Sequence, residues 1–95
     1  MRRFKIIDEN GFAIVCRAWE KEDAAPTAIL QIVHGMAEHG GRYGGLAEFL
    51  LERGIFTFAS DHRGHGLTAT ENGTMGYFAD EKGWEKVVDD IGLVN

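Results

Sequence analysis

The chain has 95 residues, 44% of them hydrophobic, and its 15 acidic against 10 basic residues give a net charge of -5. Acid spread along the chain excludes a nucleic-acid surface and suits solubility, and a chain of this length buries only about two thirds of the surface its unfolded form exposes, so a thin core is expected. One cysteine, Cys16, rules out an internal disulfide and fits a reducing cytoplasm, while Met1-Arg2-Arg3 leads into alternating residues instead of a signal-peptide core and no apolar run is long enough to span a bilayer.

In chain order, Arg3 to Asp8 and Phe12 to Trp19 read as two antiparallel strands joined at Glu9-Asn10-Gly11, since Asn-Gly is a strong hairpin signal. Lys21 to Thr27 is a polar loop with the only proline, Pro26. Ala28 to Val33 lacks alternation, which predicts a strand covered on both faces and a parallel sheet. Tyr43, Leu46, Ala47, Leu50 and Leu51 recur at helical spacing up to Arg53, with Gly54 placed as a left-handed C-cap. Ile55 to Ser60 is a second buried strand, so strand, helix and strand form a right-handed crossover. Leu67 to Gly76 reads as loop. Asp80 or a neighbour caps a last helix running to about Asn95, with Trp84, Val87, Val88 and Ile91 on one side. There is no repeat, low-complexity tract or linker.

The most informative stretch follows the first apolar strand: His34-Gly35-Met36-Ala37-Glu38-His39-Gly40-Gly41-Arg42-Tyr43. A β-branched run that stops at His-Gly and passes through small residues into a helix leaves backbone N–H groups pointing outward. Such amides stabilise a tetrahedral intermediate without side-chain reorganisation, and the Met36 N–H is the candidate donor. The second motif, Asp61-His62-Arg63-Gly64-His65-Gly66, closes the next strand.

With both motifs at this separation, the chain resembles the α/β-hydrolase superfamily. The likeness is to its monoacylglycerol lipase and lysophospholipase-like branch, of serine aminopeptidase S33 type. Members carry His-Gly-x-x-Glu-His-x-x-Arg-Tyr and then Asp-x-x-Gly-His-Gly. The closing Gly76-Tyr77-Phe78-Ala79-Asp80 and Trp84 to Asp90 are similar too, so the resemblance covers nearly all of residues 1–95. It implies an α/β fold class in which the chain forms the N-terminal part of one α/β-hydrolase domain, incomplete, with a hairpin leading into a parallel sheet. It also implies that the strand ending at Val33 lies between the one ending near Ser60 and a following strand. The nucleophile elbow Gly-x-Ser-x-Gly, the acid and the base would lie further along, so this segment alone should be inactive and poorly stable.

Within that resemblance, His34 shapes the turn instead of acting as a base, and Gly35 and Ala37 keep acyl substrate close to the Met36 amide. Glu38 and Arg42, four apart at a helix start, can pair and brace the loop with His39 and Tyr43. Many relatives have Ser where this chain has Gly40, which removes one hydroxyl and is expected to loosen the turn. Ser60, Asp61 and His62 cannot form a triad, because adjacent residues on an extended chain point to opposite faces. Asp61 and Arg63 instead fix the second loop, Gly64 and Gly66 let it turn tightly, His65 belongs to the same structural loop, and Thr68 keeps a hydroxyl where relatives often have Ser.

Competing chemistries fare worse. Four histidines, with His62 and His65 in one loop near His34, raise a zinc module, but no second Cys or acidic ligand cluster has matching spacing, so no metal is assigned. Gly35 to Gly41 lacks the Lys and Ser or Thr of a phosphate loop, and no Gly-x-Gly-x-x-Gly follows a strand. Cys16 reads as a small core residue. The implied function is ester cleavage on monoacylglycerol or lysophospholipid substrates without a cofactor; a non-catalytic hydrolase-like scaffold or binding module is the alternative, a small His-based metal-binding module the second, and the oligomeric state is left open.

Overall fold

A computed structural model describes residues 1–36, 38–79 and 81–95. Strands β1 (Arg2–Ile7), β2 (Ala13–Trp19), β3 (Ala28–Ile32) and β4 (Ile55–Ser60) form one sheet in the order β1-β2-β4-β3. The first two pair antiparallel, β2 pairs antiparallel with β4, and β4 runs parallel to β3. At the hairpin, the Asp8 carboxylate accepts the N–H groups of Asn10 and Phe12 at 2.8 and 2.9 Å, and Gly11 takes φ +80°. A local acid and a glycine thus close the turn that Asn-Gly announces.

Every residue of β2 is buried, because it lies between β1 and β4 in the sheet. A 3-10 turn (Gly40–Tyr43) leads into helix α1 (Gly44–Leu51), which packs Ala47 against Trp19 and Ala59, with Ile32 and Leu51 at the margin of this cluster. Gly54, at φ +77°, ends the helical segment, and its carbonyl accepts the Thr27 N–H at 2.8 Å. On the other face, helix α3 (Gly83–Val94) meets β3 through the Gln31 side chain, which donates to the Ile91 carbonyl at 3.2 Å. Ile32 and Gln31 point to opposite faces, so α1 and α3 flank the sheet on its two sides.

Three expectations are corrected. Ala28 to Leu30 are exposed instead of covered on both faces, because β3 is an edge strand whose outer side has no partner among the described residues, and α3 reaches only Gln31. The stretch read as loop from Leu67 contains helix α2 (Gly66–Asn72): the Asp61 carboxylate accepts the Leu67 N–H at 2.8 Å, and Gly73 closes the helix at φ +67°. Helix α3 buries Val87 and half-buries Ile91 as expected, but Trp84 is 67% exposed, Val88 is exposed too, and Asp90 is buried in the same stripe. Its first residues follow Lys82, which has left-handed backbone and makes no side-chain cap; Asp80 lies outside the described residues. Cys16 is fully buried, and burial, then the Asp61 charge, push its thiol up to about 11.

Candidate active site

Parallel pairing brings the C-terminal ends of β3 and β4 side by side, so His34 and His62 meet. Both are buried, with ring centroids 3.8 Å apart. The His62 N–H donates to His34 Nε2 at 2.9 Å, which makes that nitrogen an acceptor and leaves the proton on Nδ1, donated to the Gly35 carbonyl at 2.8 Å. His62 Nε2–H in turn donates to the His34 carbonyl at 2.8 Å. Burial pulls both imidazoles below the ordinary histidine value of 6.5, and the neighbouring histidines add to it. The pair is neutral near pH 7 and ties the start of one loop to the start of the other.

Glu38 holds the same turn from its far end. One carboxylate oxygen accepts the Gly35 N–H and the Tyr43 hydroxyl, each at 2.8 Å, and the other pairs with Arg42 at 3.0 Å. The Gly35 N–H and then the Tyr43 hydroxyl hold the Glu38 carboxyl below its usual range. Between the two clamps sits Met36, whose side chain is 73% exposed and whose N–H no described residue accepts. Ala37, expected beside it, lies outside the described residues.

Beneath the turn, Asp61 is fully buried and shares its oxygens among three donors: Arg17 Nη1 at 2.7 Å, the Gly40 N–H at 2.6 Å and the Leu67 N–H at 2.8 Å. Gly40 is itself buried, and a side chain there would sit 3.1 Å from Ala59 Cβ and from Asp61. The Gly40 backbone ties the turn to the end of β4 through that bond to Asp61. Asp61 also receives the Thr68 hydroxyl on its carbonyl at 2.7 Å, while Thr68 accepts the Val15 N–H at 2.9 Å. Ser60, Asp61 and His62 face different partners and do not converge.

Arg63 turns away from the cleft to Asp90, at 2.7 and 3.2 Å, and Asp8, at 2.8 Å, with its guanidinium over Phe12. Burial raises the Asp90 carboxyl against the pull of Arg63. Gly64, at φ +74°, lets the Tyr77 backbone approach, and His65 donates Nδ1–H to the Arg63 carbonyl at 2.8 Å. Gly66, at φ +51°, is packed against Asp61 and His39, so a Cβ at Gly66 would lie 2.8 Å from His39 Cβ. Facing the turn is a cavity of about 740 Å³ lined by Met36, His39, His65, Met75, Tyr77 and Phe78, among others. No three His, Cys, Asp or Glu side chains among the described residues could hold a metal ion. Nor is any helix among them long and apolar enough to cross a membrane.

Arg17 is the residue that reading the chain overlooks. Its signal is a lone cation inside the otherwise apolar strand Ala13–Trp19, where a buried charge requires a buried partner.

The family model of the serine aminopeptidases, S33, matches residues 24–95. Human monoglyceride lipase is 38% identical over 66 residues, which is 70% of this chain and 22% of that relative. A solved structure described as a lipase in open form superposes with a TM-score of 0.78 at 34% identity, covering 98% of this chain and 29% of that one. A thermostable carboxyl esterase from Bacillus coagulans in complex with glycerol gives a TM-score of 0.73 at 25% identity, over 98% of this chain and 32% of that one. The chain thus spans roughly a fifth to a third of the length of these three proteins.

Proposed function

The chain belongs to the serine aminopeptidase S33 family of α/β-hydrolases, and from that membership we propose that it is the first part of a single hydrolase domain, supplying the oxyanion turn for cleavage of lipid carboxylic esters. The observation that carries this reading is the Met36 N–H, which no described residue accepts, held between the His34–His62 clamp and Glu38 at the C-terminal ends of two parallel strands. A serine beyond Asn95 attacks the ester carbonyl and a downstream histidine takes its proton. The oxygen then gains charge and is met by the Met36 amide and the amide after that serine. Removing one such donor costs about 100- to 1,000-fold in kcat. Glu38, Arg42, His34 and Asp61 hold the donor in place, and none of them touches the reacting bond.

The apolar cavity beside Met36 supports a lipid acyl group as substrate, with monoacylglycerols or lysophospholipids the class favoured by likeness to the lipases. No cofactor enters this chemistry. The single, buried cysteine supports a reducing cytoplasm as the compartment. The test is glycerol release from monodecanoylglycerol. The 95-residue chain should release none, whereas the reading frame continued through a Gly-x-Ser-x-Gly elbow should release it steadily. A frame without that elbow, or an elbow-bearing protein that leaves the ester intact, refutes the proposal.

A further inference from the structure

His62 takes no part in the ester chemistry proposed above, yet it is buried and makes two of the bonds that fix His34. We infer that His62 is a positioning residue for the Met36 turn, holding His34 through a pair of hydrogen bonds that is complete only while the His34 ring is neutral; this rests on the proposed role of Met36.

The geometry leaves a second proton nowhere to go. On His34 the one free lone pair is Nε2, which already accepts the His62 N–H, so a proton placed there would oppose that donor directly. On His62 the free lone pair is Nδ1, which is buried with no partner among the described residues. A proton there would have no acceptor and would charge a ring 3.8 Å from its neighbour.

The charged and titratable groups around the pair are all committed. Asp61 serves Arg17, Gly40 and Leu67; Asp90 serves Arg63; Glu38 serves Gly35, Tyr43 and Arg42; His65 gives its Nδ1–H to the Arg63 carbonyl. None of them accepts a hydrogen bond from either ring among these contacts. Protonating His34 therefore breaks the bond from the His62 N–H and weakens the link between the end of β4 and the turn that carries Met36. The low affinity of both buried rings for protons agrees with this.

The test is nuclear magnetic resonance on the 95-residue chain, following the ring nitrogens and the Met36 amide while the pH falls from about 8 to about 5, the range in which histidine titrates. At the upper end His34 should carry its proton on Nδ1 and His62 on Nε2. Both rings should titrate below the ordinary range, and the Met36 amide should move with the midpoint of His34. His62→Gln, whose amide can donate from the Nε2 position, should keep the Met36 resonance of the parent near neutral pH, whereas His62→Ala should displace it. Rings that titrate as free imidazoles overturn the inference, as does a Met36 amide that stays still while they titrate. The parent titration alone decides the matter if a variant fails to fold. Absence of ester hydrolysis would sink the functional reading and leave this coupling standing, so the two failures are separable.

Discussion

Asp61 gathers Arg17, the Gly40 amide and the Leu67 amide with one buried carboxylate, so three segments far apart in the chain depend on a single charge. Asp61→Asn keeps the shape but leaves the Arg17 guanidinium buried without its counter-charge. Breaking such a pair costs about 3–5 kcal/mol, read as a lower urea midpoint at unchanged slope. A loss below about 1 kcal/mol would deny the role. Gly64 and Gly11 give a paired test, because both have positive φ but only Gly64 is enclosed: a Cβ there would lie 2.7 Å from the Tyr77 nitrogen, whereas nothing lies within 4 Å at Gly11. Gly11→Ala should cost only the left-handed penalty of about 1–2 kcal/mol, and Gly64→Ala clearly more in the same unfolding measurement. Equal losses would contradict the packing. At this scale the motifs were legible and their partners were not. Arg17 and Asp61 stand 44 residues apart, a distance over which no local pattern joins a cation to its carboxylate.

At the scale of elements, the His34–His62 link joins the ends of β3 and β4 and makes stability depend on pH. Below the unperturbed value of 6.5 the unfolded histidines take up protons that the buried native rings resist. The unfolded state then binds more protons, so unfolding free energy rises with pH across this window and is lost as pH falls. Urea unfolding between about pH 7 and about pH 5, above the range where carboxylates titrate, should show that fall, and it should shrink in His34→Gln. A flat profile would mean that the rings are not buried as neutral groups.

Element boundaries were legible where the cause is local: the Asn10-Gly11 hairpin and the apolar run of β4 both declare themselves. Helix α2 did not, because its first free amide is met by Asp61, six residues from Leu67, and its own residues carry no apolar stripe. The buried stripe of α3 was legible at Val87 and Ile91 but not at Asp90, for a related reason. Asp90 is drawn inward by Arg63, and charge pairing overrides hydrophobic periodicity there.

Across the whole molecule, the sheet ends on an apolar strand whose outer edge no described residue pairs. Ile29 is 66% exposed and Leu30 and Val33 are exposed beside it, a template for pairing with another chain. The 95-residue chain should therefore self-associate as its concentration rises, and Ile29→Lys should suppress the increase in light scattering; a parent that stays monomeric throughout would show the edge to be protected. The apolar run announced a strand correctly, but its burial was set by neighbours that run-counting does not supply. Whether the Met36 N–H serves an oxyanion is read from one distance. In the elbow-bearing protein trapped with an alkyl phosphonate on its serine, the phosphonyl oxygen should lie about 2.7–3.1 Å from the Met36 nitrogen. A phosphonyl oxygen turned to other donors, with Met36 beyond hydrogen-bond reach, would contradict the account.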